Sequence, residues 1–176
     1  QQDSVAVMTF DDAARMIMTP TSRMAAFADV CEALAPIEPR GDSNIAQALH
    51  RTAEGIGKKG VVVVVSDFLS GMEETVKGFE HLAFEGHDCL AIQVLDPAER
   101  RFPFSGNCLF EGLEGAARVF ADAGRLRKLY LDALEAFLTR LRAGCVAARV
   151  DYLLAETSES LDKVLVAYLL SRGRRG

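Results

Sequence analysis

The stretch from Val61 to Asp67 constrains the fold of this chain more than any other. Five consecutive valines are opened by Gly60 and cut off by Ser66 and Asp67. Valine's branched Cβ restricts its rotamers and favours extended backbone. An apolar run of this length, without alternation, predicts a strand covered on both faces, as in a parallel sheet flanked by helices. In such sheets ligands bind beyond the carboxyl ends of the strands, where Ser66 and Asp67 fall. The alternative is that Asp67 only caps the helix or turn that follows.

The remaining pattern alternates strands with helices. Asp3 to Phe10 reads as a strand, Asp11-Asp12 as a turn, and Ala13 to Met18 as a hairpin partner ending at Pro20. Met24, Phe27, Cys31 and Leu34 recur at helical spacing, with Thr21 or Ser22 as cap. A loop from Pro36 through Pro39, Gly41 and Asp42 to Ser43 precedes a helix marked by Ile45, Ala48, Leu49, Thr52 and Ile56. Met72, Val76, Phe79 and Ala83 mark the next helix, and Cys89 to Leu95 a second buried strand stopped by Asp96-Pro97. Short strands are expected near Cys108–Phe110 and Arg118–Phe120. A long helix follows from Gly124 to Ala143, then a last strand from Val150 to Leu154. A closing helix turns Leu161, Leu165 and Tyr168 inward. This order predicts a doubly wound α/β architecture with right-handed crossovers in one domain over residues 1–176.

Composition narrows the function classes. With 49% apolar and 26% charged residues, the 176-residue chain is typical of a soluble globular domain. No apolar stretch approaches the roughly 20 residues needed to span a bilayer. A net charge of −5 argues against nucleic acid as principal partner, and Arg172, Arg174 and Arg175 read as a solvated end. The four cysteines form no C-x-x-C pair, which fits a reducing cytoplasm, and Cys31 and Cys89 read as small core residues. His50, His81 and His87 are too far apart in sequence for a local metal motif.

The order of elements and several stretches resemble a von Willebrand factor A-type domain, and more narrowly the bacterial family known as domain of unknown function 58. The stretches are Gln2 to Val7, Gly41 to Leu49, Val65 to Phe68, Gly86 to Asp88, Val94 to Glu99 and Phe102 to Phe104. Leu113-Glu114, Leu126-Arg127, Tyr130, Asp151-Tyr152 and Thr157 continue the match across essentially the whole chain. The resemblance implies a mostly parallel sheet with one antiparallel hairpin strand. It also implies a metal-ion-dependent adhesion site at the top of that sheet, with Ser43 at a hydroxyl position and Asp67 at the distal aspartate. Oxygen ligands of this kind suit Mg²⁺. The family's D-x-S-x-S strand does not occur in this sequence, so Mg²⁺ is expected in a longer form of the protein and not in this chain. The family's first strand lies between its second and fourth. The chain therefore reads as the C-terminal portion of a longer protein, with one edge of the Val61 strand uncovered and open to pairing with a second copy, unless the Val5 strand moves beside it.

The implied function is non-catalytic: a protein-interaction module acting with a MoxR-type AAA+ ATPase. A hydrolase using Asp67 and Asp96 at adjacent strand ends is the alternative. The residues themselves leave other roles open. Ser43 can be a neighbour of the N-cap, with Asp42 as the cap, and Asp96-Pro97 can simply be a turn. Phe102, Phe104 and Phe110 can form an exposed patch for a partner or plug the end of the core.

Overall fold

The computed structural model describes residues 3–11, 13–23, 25–38, 43–112 and 118–172. Asp12, Met24, Pro39 to Asp42, Leu113-Glu114, Arg174 and Arg175 lie outside the described residues. The elements run β1 (Val5–Phe10), β2 (Ala14–Thr21), α1 (Ala26–Leu34), α2 (Ile45–Gly55), β3 (Val61–Ser66), α3 (Met72–Phe84) and β4 (Asp88–Leu95). They continue with α4 (Pro97–Arg101), β5 (Asn107–Glu111), β6 (Arg118–Asp122), α5 (Ala123–Ala147), β7 (Asp151–Glu156) and α6 (Leu161–Arg172).

The centre is a three-stranded parallel sheet in the order β3-β4-β7. Ser66 lies opposite Gln93, and Gln93 opposite Leu154. Alternation along β4 divides the core in two, since successive side chains leave a strand on opposite faces. Cys89 and Ala91, with Val64 of β3, pack beneath Ile45, Leu49 and Ala53 of α2, Phe79 and Leu82 of α3, and Leu141 and Cys145 of α5. On the other face Leu90, Ile92 and Ala155 meet Val164, Leu165 and Tyr168 of α6.

Alpha-beta layering is therefore observed, with three departures from the sequence reading. First, the Val61 strand is not covered on both faces: Val61, Val63 and Val65 are 61%, 51% and 56% exposed. The helix that covers this face, α6, packs on β4 and β7, and among the described residues β3 is an edge strand. Second, β1 does not move beside β3. Among the described residues it pairs only with β2, antiparallel, as a separate hairpin, tied to the core by Phe10 and by the Asn44 N–H donating to the Asp11 carbonyl at 2.8 Å. The antiparallel hairpin strand thus does not extend the parallel sheet. Third, the expected inward face of α1 points outward. Phe27 is 76% exposed and Cys31 is exposed, while Ala26 is buried. Helical spacing identifies a stripe, but among the described residues no element packs over it to bury it.

The β5–β6 hairpin is antiparallel and pairs Asn107 with Asp122. Beneath it Phe102 is buried, stacked on Phe110 at 5.6 Å and close to Tyr130 at 4.8 Å, with Phe104 edge-on at 5.1 Å. These rings form an aromatic cluster of their own, apart from the two core clusters, with Phe102 buried and Phe104 exposed. Beside them Phe102, Phe110, Val119, Leu126, Leu129 and Tyr130 line an open apolar groove of about 460 Å³.

Candidate functional site

The carboxyl end of β3 is held in an unusual local conformation. Phe68 has φ +57°, a left-handed backbone that costs a non-glycine residue about 1–2 kcal/mol. Its ring nonetheless lies fully buried in the main core, 6.1 Å from the Phe79 ring. Burial of that ring offsets the backbone cost and fixes the loop around it. The Ser66 hydroxyl accepts from the Phe68 N–H at 3.1 Å, and Asp67 Oδ1 accepts from the Leu69 N–H at 3.1 Å. Asp67 therefore caps a turn and not the helix, because α3 begins after Gly71, itself at φ +56°. Among the described residues Oδ2 of Asp67 accepts no hydrogen bond, and the residue is exposed.

Ser43 is brought to this loop by tertiary structure. The Ser70 hydroxyl donates to the Ser43 carbonyl at 3.4 Å, joining the loop before α2 to the loop after β3. The N-cap of α2 is Asn44, whose side chain accepts from the Gln47 N–H at 3.0 Å, so the cap is one residue beyond Ser43. Ser43, Ser66, Asp67 and Ser70 thus stand on two adjoining loops at one end of the sheet.

A buried polar relay sits directly below them. Gln93, fully buried on β4, donates from Nε2 to the Asp67 carbonyl at 2.6 Å and accepts the Tyr152 hydroxyl at Oε1, also 2.6 Å. The Asp67 carbonyl can only accept, which turns the amide nitrogen toward it and leaves the amide oxygen to take the Tyr152 hydroxyl proton. Burial raises the Tyr152 pKa, and the Arg142 guanidinium, 5.3 Å from the ring centre, pulls the other way. Nothing in the local sequence marks Gln93: a glutamine inside an apolar strand signals only that it needs partners, and those come from the loop after β3 and from β7.

Asp96 occupies a different role. Its Oδ1 accepts from the Ala98 N–H at 2.7 Å, and Glu99 reciprocates on the Asp96 N–H at 2.7 Å, closing a capping box with Pro97 at the first helical turn. Its Oδ2 accepts the Thr157 hydroxyl at 3.1 Å. Both oxygens are engaged in holding β4, α4 and the end of β7 together. Among the described residues no carboxylate lines the apolar groove near Phe102. The thiols of Cys89 and Cys145 are pushed up to about 11 by burial and stay protonated at neutral pH.

Among the described residues no three or more His, Cys, Asp or Glu side chains gather as a metal cluster. The pair that sequence reading missed is His50 and His81, whose Nδ1 atoms lie 2.9 Å apart although 31 positions separate them.

A parallel sheet with helices on both faces and polar loops beyond its strand ends defines the class of protein: a layered α/β domain. The chain belongs to the family described as protein of unknown function DUF58, whose model matches residues 1–136. The fold is also that of BatB, a conserved hypothetical protein from Bacteroides thetaiotaomicron, at TM-score 0.57 and 13% identity over 100% of this chain and 82% of that one. An aerotolerance-related membrane protein from Bacteroides fragilis is similar to the same extent. Its TM-score is 0.57 at 15% identity, over 93% of this chain and 77% of its own. No curated protein matches the sequence. Among the described residues no helix is long and apolar enough to cross a membrane.

Proposed function

We propose that this chain is a non-catalytic protein-interaction module of von Willebrand A type, working at the loops that follow β3. The observation that carries the reading is the juxtaposition of Ser43 with the Asp67–Ser70 turn, where a carboxylate oxygen is left open beside serine residues. One carboxylate with hydroxyl groups fits Mg²⁺, which is bound through one or two carboxylates and keeps several waters. Asp67 and Ser43 would hold the ion in the full-length protein, and the ion would supply an open position for a partner's acidic side chain. Gln93 and Phe68 fix the backbone that carries Asp67. The exposed valine face of β3 adds apolar surface beside the same loops. A MoxR-type AAA+ ATPase is the partner this reading takes from the family resemblance.

Isothermal titration of Mg²⁺ and Mn²⁺ into this chain and into an N-terminally extended form tests the reading. Binding that Asp67→Ala abolishes and Asp96→Ala leaves intact is the expected result. Absence of heat in both forms, or equal heat in wild type and Asp67→Ala, would remove the metal from the mechanism.

A further inference from the structure

We propose that His50 and His81 form a two-histidine site for a divalent transition-metal ion, clamping α2 to α3. The helices approach closely because Gly78 has no side chain: a Cβ there would lie 2.7 Å from Leu49 Cβ. Leu49 fills that space, and the next residue, His50, meets His81, which lies three positions beyond Gly78 and so on the same side of α3. The rings are half-buried, 5.2 Å between centroids and tilted by 44°. The two imidazole nitrogens thus converge from two packed helices, which hold them in place before any ligand arrives.

Their spacing suits a shared ion. Two nitrogens at about 2.0–2.1 Å from a tetrahedral Zn²⁺ stand roughly 3.3 Å apart, so the pair at 2.9 Å needs to open by only about 0.4 Å. In the metal-free pair one Nδ1 carries a hydrogen and the other accepts it. Binding places that hydrogen on Nε2 of the same ring and frees both Nδ1 lone pairs. Imidazole ligands select Zn²⁺, Ni²⁺ and Cu²⁺ over Mg²⁺, so this site is independent of the Asp67 loops. Among the described residues no third His, Cys, Asp or Glu joins the pair. The remaining coordination positions go to water, and the site stays open to an exogenous ligand.

The test is titration of NiCl₂ into the wild-type chain, followed by calorimetry and by the unfolding temperature, which binding to the folded state raises. His50→Ala and His81→Ala each remove one of two ligands and are expected to weaken binding by about tenfold or more. A Cys31→Ser/Cys108→Ser variant is expected to bind like wild type, which separates the imidazoles from the more accessible thiols. Absence of binding, binding indifferent to both histidine variants, or binding lost with the thiols would each overturn the proposal. Should a histidine variant fail to fold, side-chain ¹⁵N spectra of the wild type with ZnCl₂ decide. Movement of the Nδ1 signals of His50 and His81 while that of His87 stays fixed supports the site, and any other pattern overturns it.

Discussion

Gln93 shows how much a single buried side chain can organise. Its amide spans from the Asp67 carbonyl to the Tyr152 hydroxyl, so three elements share one polar contact below the candidate site. Replacing it by leucine leaves two partly buried groups without this partner, at a penalty of roughly 1–3 kcal/mol in total. Urea unfolding of Gln93→Leu is expected to show that loss. The double variant with Tyr152→Phe should recover part of it, because the orphaned hydroxyl is gone. If the two single losses simply add, the relay is not a unit. Phe68 is a second case: its left-handed backbone is tolerated because its ring is buried in the main core.

At the level of elements, the α2–α3 contact depends on one missing side chain. A Cβ at Gly78 would meet Leu49 Cβ at 2.7 Å and Cδ1 at 2.9 Å, closer than packed atoms allow. Gly78→Val is therefore expected to push the helices apart and destabilise the protein by about 1–3 kcal/mol. Gly55→Ala, with nothing within 4 Å of the added carbon, should stay near neutral. Chemical denaturation of both variants checks the contrast. Because the same close approach brings His50 to His81, Gly78→Val should also weaken Ni²⁺ binding. The capping box at Asp96 is the opposite kind of element, set by four consecutive residues and carrying a five-residue helix to the end of β4.

For the whole molecule, the open question is the valine edge. Among the described residues β3 pairs only with β4, and Val61, Val63 and Val65 are more than half exposed. An exposed apolar edge strand pairs readily with another chain, and lysine is a common natural guard against this. The isolated chain is expected to associate with increasing concentration in sedimentation velocity, and Val63→Lys to suppress that association. A wild type that remains monomeric throughout would show that the edge is protected some other way.

Much of the layering was legible in the residues alone. Val61 to Val65, Cys89 to Leu95, the Asp96-Pro97 stop and the long α5 helix all follow from local preferences that neighbours reinforce. The Ser66-Asp67 position at a strand end followed from the same pattern. Other features depend on contacts between residues far apart in sequence, which periodicity does not encode. The stripe of α1 is regular, yet Phe27 and Cys31 face solvent, because burial requires a facing element and spacing supplies only the face. The β1–β2 hairpin forms by local pairing, but whether it joined the parallel sheet depended on backbone hydrogen bonds between distant strands. Gln93 found its partners on β7 and beyond β3, and His50 found His81 across two helices. Local residue chemistry determined which elements form and where they end; tertiary packing alone decided which faces stayed open and which polar side chains met.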